Sequence, residues 1–422
     1  MSAPIDDAGI IAALRLAHAK NIGPVTYRKL VRVFGSAEAV LAAPRERILE
    51  VPDVTPRTAD GIADARKDPW AEQELARARD RKIDILILDD PRYPRALLST
   101  YDPPVALYVD GQLLPEDALS VAIVGSRHCS HYGRAQAEKL AAGLAAGGFT
   151  VISGLARGID SAAHAGALKV ERGRTIAVLG NGIGTVYPPE NKKLYERIVA
   201  PDDPRGAVLS ELPLDTPPAA QHFPGRNRII AGMTLGTVVV EGTETSGSLI
   251  TARYAVDMDR EVFAVPGSVE SPNSRGPHRL IKAGAKLVED VEDILDELRE
   301  IAEPLVKIRP PDPRLRSPSP APLPQGEKVA KKKQIAAGAL LPGMSEPPPL
   351  DEARPSGTDL RALNLNPREA QIFGLLDQSL PRPVDELIVK SGLKPQEVLA
   401  TLMVLEVKRL CRQLPGKRYV KA

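Results

Sequence analysis

The sequence predicts an α/β protein: a doubly wound parallel sheet, preceded by a helical domain and followed by a winged helix. Three observations lead there. From residue 83 onward, short apolar runs alternate with helical segments: IDILIL, VAIVG, TVISG, TIAVLG, AVLSEL, TVVVEG, EVFAVPG and AKLVED. Continuous apolar runs mean strands covered on both faces, and helices between them mean βαβ units. Residues 1–80 instead carry helical periodicity around a Gly-Pro turn, and residues 361–422 read as three helices followed by a hairpin. The expected division is a helical domain at 1–80, the α/β core at 81–302, a linker at 303–360 and the winged helix at 361–422.

In the first segment, Leu14, Leu16, Ile22, Leu30, Val31 and Phe34 fall at helical spacing around Gly23-Pro24. Two helices joined by a short turn make a helix-hairpin-helix unit, and such a turn can offer backbone N–H groups to a phosphate. ILEVPDVTPRTADGIADAR repeats the idea, with Asp53 where a permissive glycine is expected, so this second turn is doubtful. A small packing module and a DNA contact are both open for this region.

Each strand of the core is followed by a loop built for close approach. Gly125-Ser126-Arg127 follows VAIV, and arginine can fork onto a phosphate. Ser153-Gly154-Leu155-Ala156-Arg157-Gly158 follows TVI and leads into a helix, a small-residue anion nest. Asp160 reads as a helix cap. Gly180-Asn181-Gly182 follows TIAVL but is not a dinucleotide fingerprint. A fourth loop carries Phe223, Arg226, Asn227 and Arg228, and a fifth carries Glu241 and Ser246-Gly247-Ser248. Together these loops point to a polyanion. Phe223 is either a base-stacking surface or a core aromatic.

The region after the core is rich in Pro, Ala, Ser and Lys and cannot bury enough apolar surface to fold, so it reads as a semi-stiff linker with a small basic run at Lys331, Lys332 and Lys333. In the last segment, Lys408, Arg409, Arg412, Lys417, Arg418 and Lys421 are basic, yet QEVLATLMVLEV at the recognition-helix position is nearly all apolar. Protein docking is therefore as good a reading as duplex binding.

Composition excludes several classes. The formal net charge is +2, so no global basic field is present and any nucleic-acid site is local. Two cysteines, Cys129 and Cys411, cannot build a disulfide framework or a structural zinc site. There is no signal-peptide pattern and no run long enough to span a bilayer, so a cytoplasmic location is expected. The chain has no GxxxxGK[ST], no HExxH and no GxSxG. His128, Cys129 and His131 cluster without a carboxylate partner, and no metal site is expected. Glu241 is read as a carboxylate orienting Arg226 or Arg228 rather than as a catalytic base.

GSR at 125–127, SGLARGID at 153–160, YPPEN at 187–191, FPGRNRIIAG at 223–232, SGSLITA at 246–252, VFAVPG at 262–267 and LIKAGAKLV at 280–288 occur in this order. The set closely resembles the DprA/Smf family of DNA-processing proteins over nearly the whole chain. The resemblance implies an extended Rossmann-like core that binds single-stranded DNA, an N-terminal SAM-like domain and a C-terminal winged helix. It implies protection of incoming strands during natural transformation and loading of RecA recombinase past single-strand-binding protein. No cofactor and no catalytic turnover are implied.

Carried over by motif, the expected strand-binding residues are Gly125, Ser126 and Arg127, with Ser153, Gly154, Ala156, Arg157 and Gly158. Phe223, Arg226, Asn227 and Arg228, and Ser246, Gly247 and Ser248, complete the set, with Lys192 and Lys193 as extra phosphate contacts. His278, Ile281 and Leu287 match the segment through which family members form homodimers, and Lys282 falls near the recombinase contact. The chain departs from the family pattern at Gly184, where an acid is expected, at Asp215, where glycine is usual, and at Pro277-His278 before LI.

Binding by such a cluster should fall steeply with salt and show little sequence preference. Two other classes stay open: a nucleotide-processing hydrolase on the same sheet, and a winged-helix regulator that reads duplex DNA.

Overall fold

The computed structural model describes residues 6–306, 367–377, 382–393, 398, 401–402, 405, 410–414 and 418–421. They fall into two compact units divided between Ala321 and Pro322.

The first unit opens with six helices: α1 Asp7–His18, α2 Pro24–Phe34, α3 Ala37–Ala42, α4 Arg45–Leu49, α5 Pro56–Ala65 and α6 Trp70–Asp80. Leu14, Leu16 and Leu30 are buried at their centre, with Ile22, Val31 and Phe34 packed against them. Pro24 supplies the first residue of α2, where a missing N–H costs nothing. The second turn, doubtful from sequence, forms: Asp53 takes the left-handed φ of 63° and its carboxylate pairs with Lys29 of α2. A short polar side chain tolerates that conformation.

The chain then alternates: β1 Asp84–Ile87, α7 Arg95–Leu98, β2 Ala106–Gly111, β3 Ser120–Val124, α8 His131–Ala146, β4 Thr150–Ser153, α9 Ile159–Ala167 and β5 Thr175–Val178. It continues through α10 Lys192–Ile198, β6 Gly206–Ser210, α11 His222–Met233, β7 Gly236–Val239, α12 Ser248–Asp257, β8 Glu261–Ala264, α13 Arg275–Lys282, β9 Lys286–Leu287 and α14 Val291–Val306. One nine-stranded sheet results, in the order β1-β2-β6-β5-β4-β3-β7-β8-β9. From β6 to β9 the neighbours are parallel, whereas β1, β2 and β6 pair antiparallel, so the sheet is mixed rather than wholly parallel. Each of the eight apolar runs supplies a strand; β2, within the run VALYVDG, was not anticipated.

Alternation along β3 shows why its sequence is continuously apolar. Val121 and Ile123 pack with Leu140 and Leu144 of α8 on one face. Ala122 and Val124 pack with Ile229 and Ile230 of α11 and Ala252 of α12 on the other. Helix α14 lies on the α8 face through Ile294, Leu298 and Ala302, one residue per turn, and it runs to Val306, into the segment read as linker from residue 303. Crossovers leave β3 and β7 for opposite faces, which opens a crevice between the carboxyl ends of these neighbouring strands.

Helix α6 fastens the helical region to the sheet. Buried Glu74 accepts a hydrogen bond from Leu214 N–H at 2.7 Å. Asp215 takes Arg77 Nη1 at 2.6 Å and Arg81 Nη1 at 3.0 Å. A Cβ on Gly184 would fall on the same Arg81 Nη1. Gly184 and Asp215, both departures from the family pattern, thus meet at the same arginine.

In the second unit α15 Pro367–Leu375 and α16 Val384–Ser391 stand beside a three-stranded sheet of β10 Arg382–Pro383, β12 Arg418–Lys421 and β11 Cys411–Leu414, in that order. Gly392 ends α16 with φ 67°. Val398, Leu402 and Leu405, from the apolar stretch at the recognition-helix position, are buried in this unit's core, which accounts for their apolar character. Most of the linker expectation, with Lys331, Lys332 and Lys333, and the basic residues Lys408, Arg409 and Lys417 lie outside the described residues.

Candidate functional site

The crevice holds a cavity of about 640 Å³. Its floor is buried Val124, Ile230 and Thr251, and exposed Arg127, Pro224 and Ile250 stand at its rim. Gly125 is needed at the end of β3, because a Cβ there would press into Ile159 and the Glu241 carbonyl. Ser126 N–H donates to that carbonyl at 2.7 Å.

FPGRNRIIAG is not a loop before a strand: it lies within helix α11. A helical turn brings residues three and four apart to one side. Phe223, Arg226, Asn227 and Ile230 accordingly all line the cavity. Arg228 falls outside that stripe. It is 8% exposed, and it donates to Asp102 at 2.9 Å and Glu211 at 2.6 Å. Two carboxylates already neutralise it, and it does not line the cavity.

Arg226 is placed differently. It is 5% exposed and its Nη1 donates to the Val178 carbonyl, while its Nε has no partner. Burial lowers its pKa to about 10, against the opposing pull of Asp160. Its guanidinium packs on Gly154, where any Cβ would fall on it. Neither Arg226 nor Arg127 joins an ion pair among the described residues, whereas Arg157 pairs with Glu190.

The Ser153–Gly158 loop closes on itself. Ser153 is buried and donates to the Ile123 carbonyl at 2.6 Å. Gly158 has φ 77°, and a Cβ on it would strike the Ser126 carbonyl. Three of the loop's N–H groups are taken from within: Asp160 accepts from Gly154 at 3.1 Å and Ala156 at 3.4 Å, and His164 Nε2 accepts from Leu155 at 3.3 Å. Asp160 is not the helix cap read from sequence: Gly158 holds the cap position of α9, and the Asp160 carboxylate, in the first turn of the helix, reaches back to the loop and fills the nest that an anion was expected to fill. Burial pushes its pKa up, with Arg226 and the two amides pulling the other way. Asn191, from YPPEN, ties the loop down from outside, donating to the Leu155 carbonyl at 2.8 Å and Ser161 Oγ at 2.9 Å. Its role was not visible in sequence, though its motif was. Ala156 reaches the cavity, and Gly154 and Arg157 border a narrow continuation of it beyond Phe223.

Half-buried Phe223 separates the two spaces. The Arg127 guanidinium lies 4.8 Å from its ring centre, and Tyr187 lies 6.1 Å away, tilted by 40°. Tyr187 was read from sequence only as part of YPPEN, with no role of its own. Lys192 and Lys193 are exposed at the start of α10 and line neither space, and Lys192 lies 4.0 Å from Glu196.

Ser246, Gly247 and Ser248 line the opposite wall and lead into α12, whose first N–H, on Ser248, donates to Ser246 Oγ at 3.4 Å. The two hydroxyls lie 2.9 Å apart, and Asn227 donates to the Gly247 carbonyl at 3.2 Å. Glu241 does not orient Arg226 or Arg228, correcting the expectation from sequence. It is 4% exposed and accepts from Ser130 N–H at 2.8 Å and Ser130 Oγ at 2.5 Å, so it clamps the start of α8 instead. Sequence separation hid this contact.

His278 sits in α13 with its Nε2 at 3.1 Å from the Gly267 carbonyl, Ile281 is half-buried, and Leu287 is 40% exposed on edge strand β9. Lys282 is exposed at the end of α13. The described residues contain no group of three His, Cys, Asp or Glu able to hold a metal, and no helix long and apolar enough to cross a membrane.

Comparisons with known proteins agree along the chain. Residues 84–299 match the family described as DNA recombination-mediator protein A, residues 7–75 the DprA-like N-terminal HHH domain and residues 348–417 the DprA winged helix domain. The chain is 33% identical to Protein Smf of Synechocystis over 416 residues, covering 96% of this chain and 97% of the relative. It is 49% identical to Protein Smf of Escherichia coli over 208 residues, a match spanning 49% of this chain and 54% of that protein. The crystal structure of DNA processing protein A from Streptococcus pneumoniae aligns with a TM-score of 0.59 at 34% identity, covering 70% of this chain and 99% of that one. With three successive segments matched and one relative aligned almost end to end, the chain belongs to the DprA/Smf family of DNA recombination-mediator proteins.

Proposed function

We propose that the cavity binds single-stranded DNA with little sequence preference, and that the protein shields strands and loads RecA recombinase onto them against single-strand-binding protein, as in natural transformation. One observation carries the reading: Arg127 and Arg226 converge on a cavity beside an accessible aromatic ring, and among the described residues neither forms an ion pair within 4.0 Å, with Asp160 acting on Arg226 from farther off. Uncompensated guanidinium groups recruit phosphate, and a half-buried aromatic ring offers a stacking face that any base can use. Duplex DNA keeps its bases paired and cannot present them to Phe223. The set proposed to contact the strand is Gly125, Ser126, Arg127, Ala156, Phe223, Arg226, Asn227, Ser246, Gly247 and Ser248. Arg157, Lys192 and Lys193 are proposed as outer contacts that the strand passes. Ser153, Gly154, Gly158 and Arg228 are proposed to shape the site.

The protein is read as a binder rather than an enzyme. Asp160 is the carboxylate that lines the cavity, and its Oδ2 is held by two backbone amides, which leaves it poorly placed as a general base. We further propose homodimerisation through α13 and edge strand β9, where Leu287 is exposed beside unpaired backbone. A cytoplasmic location follows from the recombination role.

The deciding experiment is fluorescence anisotropy with labelled oligothymidine and the matching duplex across a salt series. Salt-sensitive binding to the single strand, lost in Arg127→Ala and Arg226→Ala, is the expected result. Equal binding by both variants would exclude this cavity, and preference for duplex would move the function to the second unit. RecA ATPase activity on strands coated with single-strand-binding protein then tests loading.

A further inference from the structure

Helix α6 belongs to the helical region, yet it holds the segment of chain that becomes a wall of the cavity. That segment runs from the end of β6 at Ser210 to the start of α11 at His222. Its Leu214 is fully buried in the core that α6 enters through Leu75 and Ala78. Leu214 N–H donates to the carboxylate of Glu74, which has no exposed surface, at 2.7 Å. Asp215 accepts from Arg77 Nη1 at 2.6 Å and from Arg81 Nη1 at 3.0 Å. Glu74, Arg77 and Arg81 follow one another at helical spacing along α6 and its cap, so one side of the helix presents all three.

The loop after β5 fixes the same segment from its other side. Gly184 N–H donates to the Leu214 carbonyl at 2.9 Å, and Gly182 N–H to the Thr216 carbonyl at 2.8 Å. A Cβ on Gly182 would strike the Pro213 and Leu214 carbonyls, so the two stretches lie as close as glycine allows. Just beyond Thr216 the chain reaches the cavity. Pro218, Ala219 and Ala220 line it, and Phe223 follows in the first turn of α11. Pro217 and Pro218 have fixed φ and no N–H to donate. The Ala219 carbonyl accepts from His222 N–H at 3.0 Å. The wall is thus a short, stiff span with α6 behind one end and α11 behind the other, and a shift at the α6 end passes along it.

We propose that Glu74 and Asp215 are positioning residues for the strand cavity, and that the helical region serves the cavity by fixing its Pro218–Ala220 wall beside Phe223. The proposal rests on the strand-binding reading above and deepens it. Neither carboxylate lines the cavity or its narrow continuation, so each acts through the chain it holds. The sign of the effect separates positioning from charge. Removing the acid at 215 makes the protein more positive and, by charge alone, tightens its hold on a strand. Removing Arg77 and Arg81 does the reverse. A positioning role makes both changes weaken binding. Asp215 is exposed, and surface ion pairs contribute little to stability, so the folded state survives its loss.

The test uses the full-length protein and labelled oligothymidine in fluorescence anisotropy across a salt series, with the melting temperature followed for each variant. Asp215→Ala and the double variant Arg77→Ala/Arg81→Ala are each expected to bind about fivefold more weakly than the wild type, the order that a loosened site costs. The triple variant is expected to bind no more weakly than the double one, because all three changes break one anchor. The salt slope is expected to stay unchanged, because no phosphate contact is removed. Glu74→Gln, which keeps an acceptor for Leu214 N–H, is expected to retain wild-type affinity, and Glu74→Ala to share the loss. Should Glu74→Ala not fold, the Asp215 and arginine variants decide alone. Wild-type or tighter binding by Asp215→Ala would overturn the proposal, whether or not its melting temperature falls. So would a loss confined to the arginine variants with a lower salt slope, which would make Arg77 and Arg81 strand contacts. Absence of strand binding in the wild type, or unchanged binding in both Arg127→Ala and Arg226→Ala, would overturn the strand-binding reading instead.

Discussion

Two loops at the carboxyl edge of the sheet look alike in sequence and differ in the folded chain. Ser153–Gly158, after β4, and Ser246–Ser248, after β7, are both small-residue turns that lead into helices. In the first, Asp160 reaches back from α9 and takes the Gly154 and Ala156 amides. In the second, no carboxylate reaches back: Ser248 N–H donates to Ser246 Oγ at 3.4 Å, and the Leu249 and Ile250 N–H groups donate to the Ser246 and Gly247 carbonyls at 3.1 Å. One turn is held by a charged group and the other by a hydroxyl and carbonyls alone, so only the second keeps its positive end without a counter-charge of its own. A small-residue loop before a helix is therefore an anion site only where the chain does not supply the anion itself.

The largest effect should come from breaking the filled loop. Asp160→Ala leaves two N–H groups without acceptors in a buried place, which costs about 2–4 kcal/mol of stability, read by urea denaturation. Asp160→Asn keeps an acceptor and should cost less than half as much. Unchanged stability in the alanine variant, together with tighter strand binding, would mean that the two loops are equivalent after all.

Arg226→Ala acts where the filled loop meets the cavity and should weaken single-strand affinity by tens of fold, on the order of 2 kcal/mol. Arg127→Ala removes an exposed cation instead. It should cost about tenfold and lower the salt slope by about 1, because one phosphate contact is lost. An unchanged salt slope would remove Arg127 from the interface.

Beneath the filled loop, His164 is fully buried, with Nδ1 at 2.7 Å from Thr175 Oγ1 and Nε2 accepting from Leu155 N–H at 3.3 Å. Burial holds its pKa down at about 3 against an ordinary 6.5. The unfolded chain therefore binds the extra proton. Stability from this group is complete above pH 6.5 and declines as pH falls from 6.5 towards 3. The wild type should lose stability over that window relative to His164→Gln; parallel pH profiles would show that the imidazole does not couple to folding. The smallest effect is expected at the open turn, where Ser246→Ala should change strand affinity by less than about threefold, one neutral donor among several contacts.

Much of this was legible in the chain. Continuous β-branched runs identified the buried strands because both faces of the sheet are covered, and the ordered motifs identified the family. The strand β2 escaped because its short apolar run follows Asp102-Pro103-Pro104 and pairs antiparallel, outside the βαβ rhythm. Helix α11 was read as a loop because Pro224 and Gly225 sit in its first turn, where a helix tolerates them. The partner of Glu241 was out of reach, because Ser130 lies 111 residues away.

The sequence by itself determined which residue types stand at the strand ends, where the apolar runs fall and which family the chain joins, because these depend on local order alone. Only the tertiary structure decided which cations remain available. Arg226 and Arg228 are two residues apart, yet helical rotation turns one into the cavity and the other towards Asp102 and Glu211. Whether a charge is neutralised depends on what distant segments bring beside it, and that is fixed by packing.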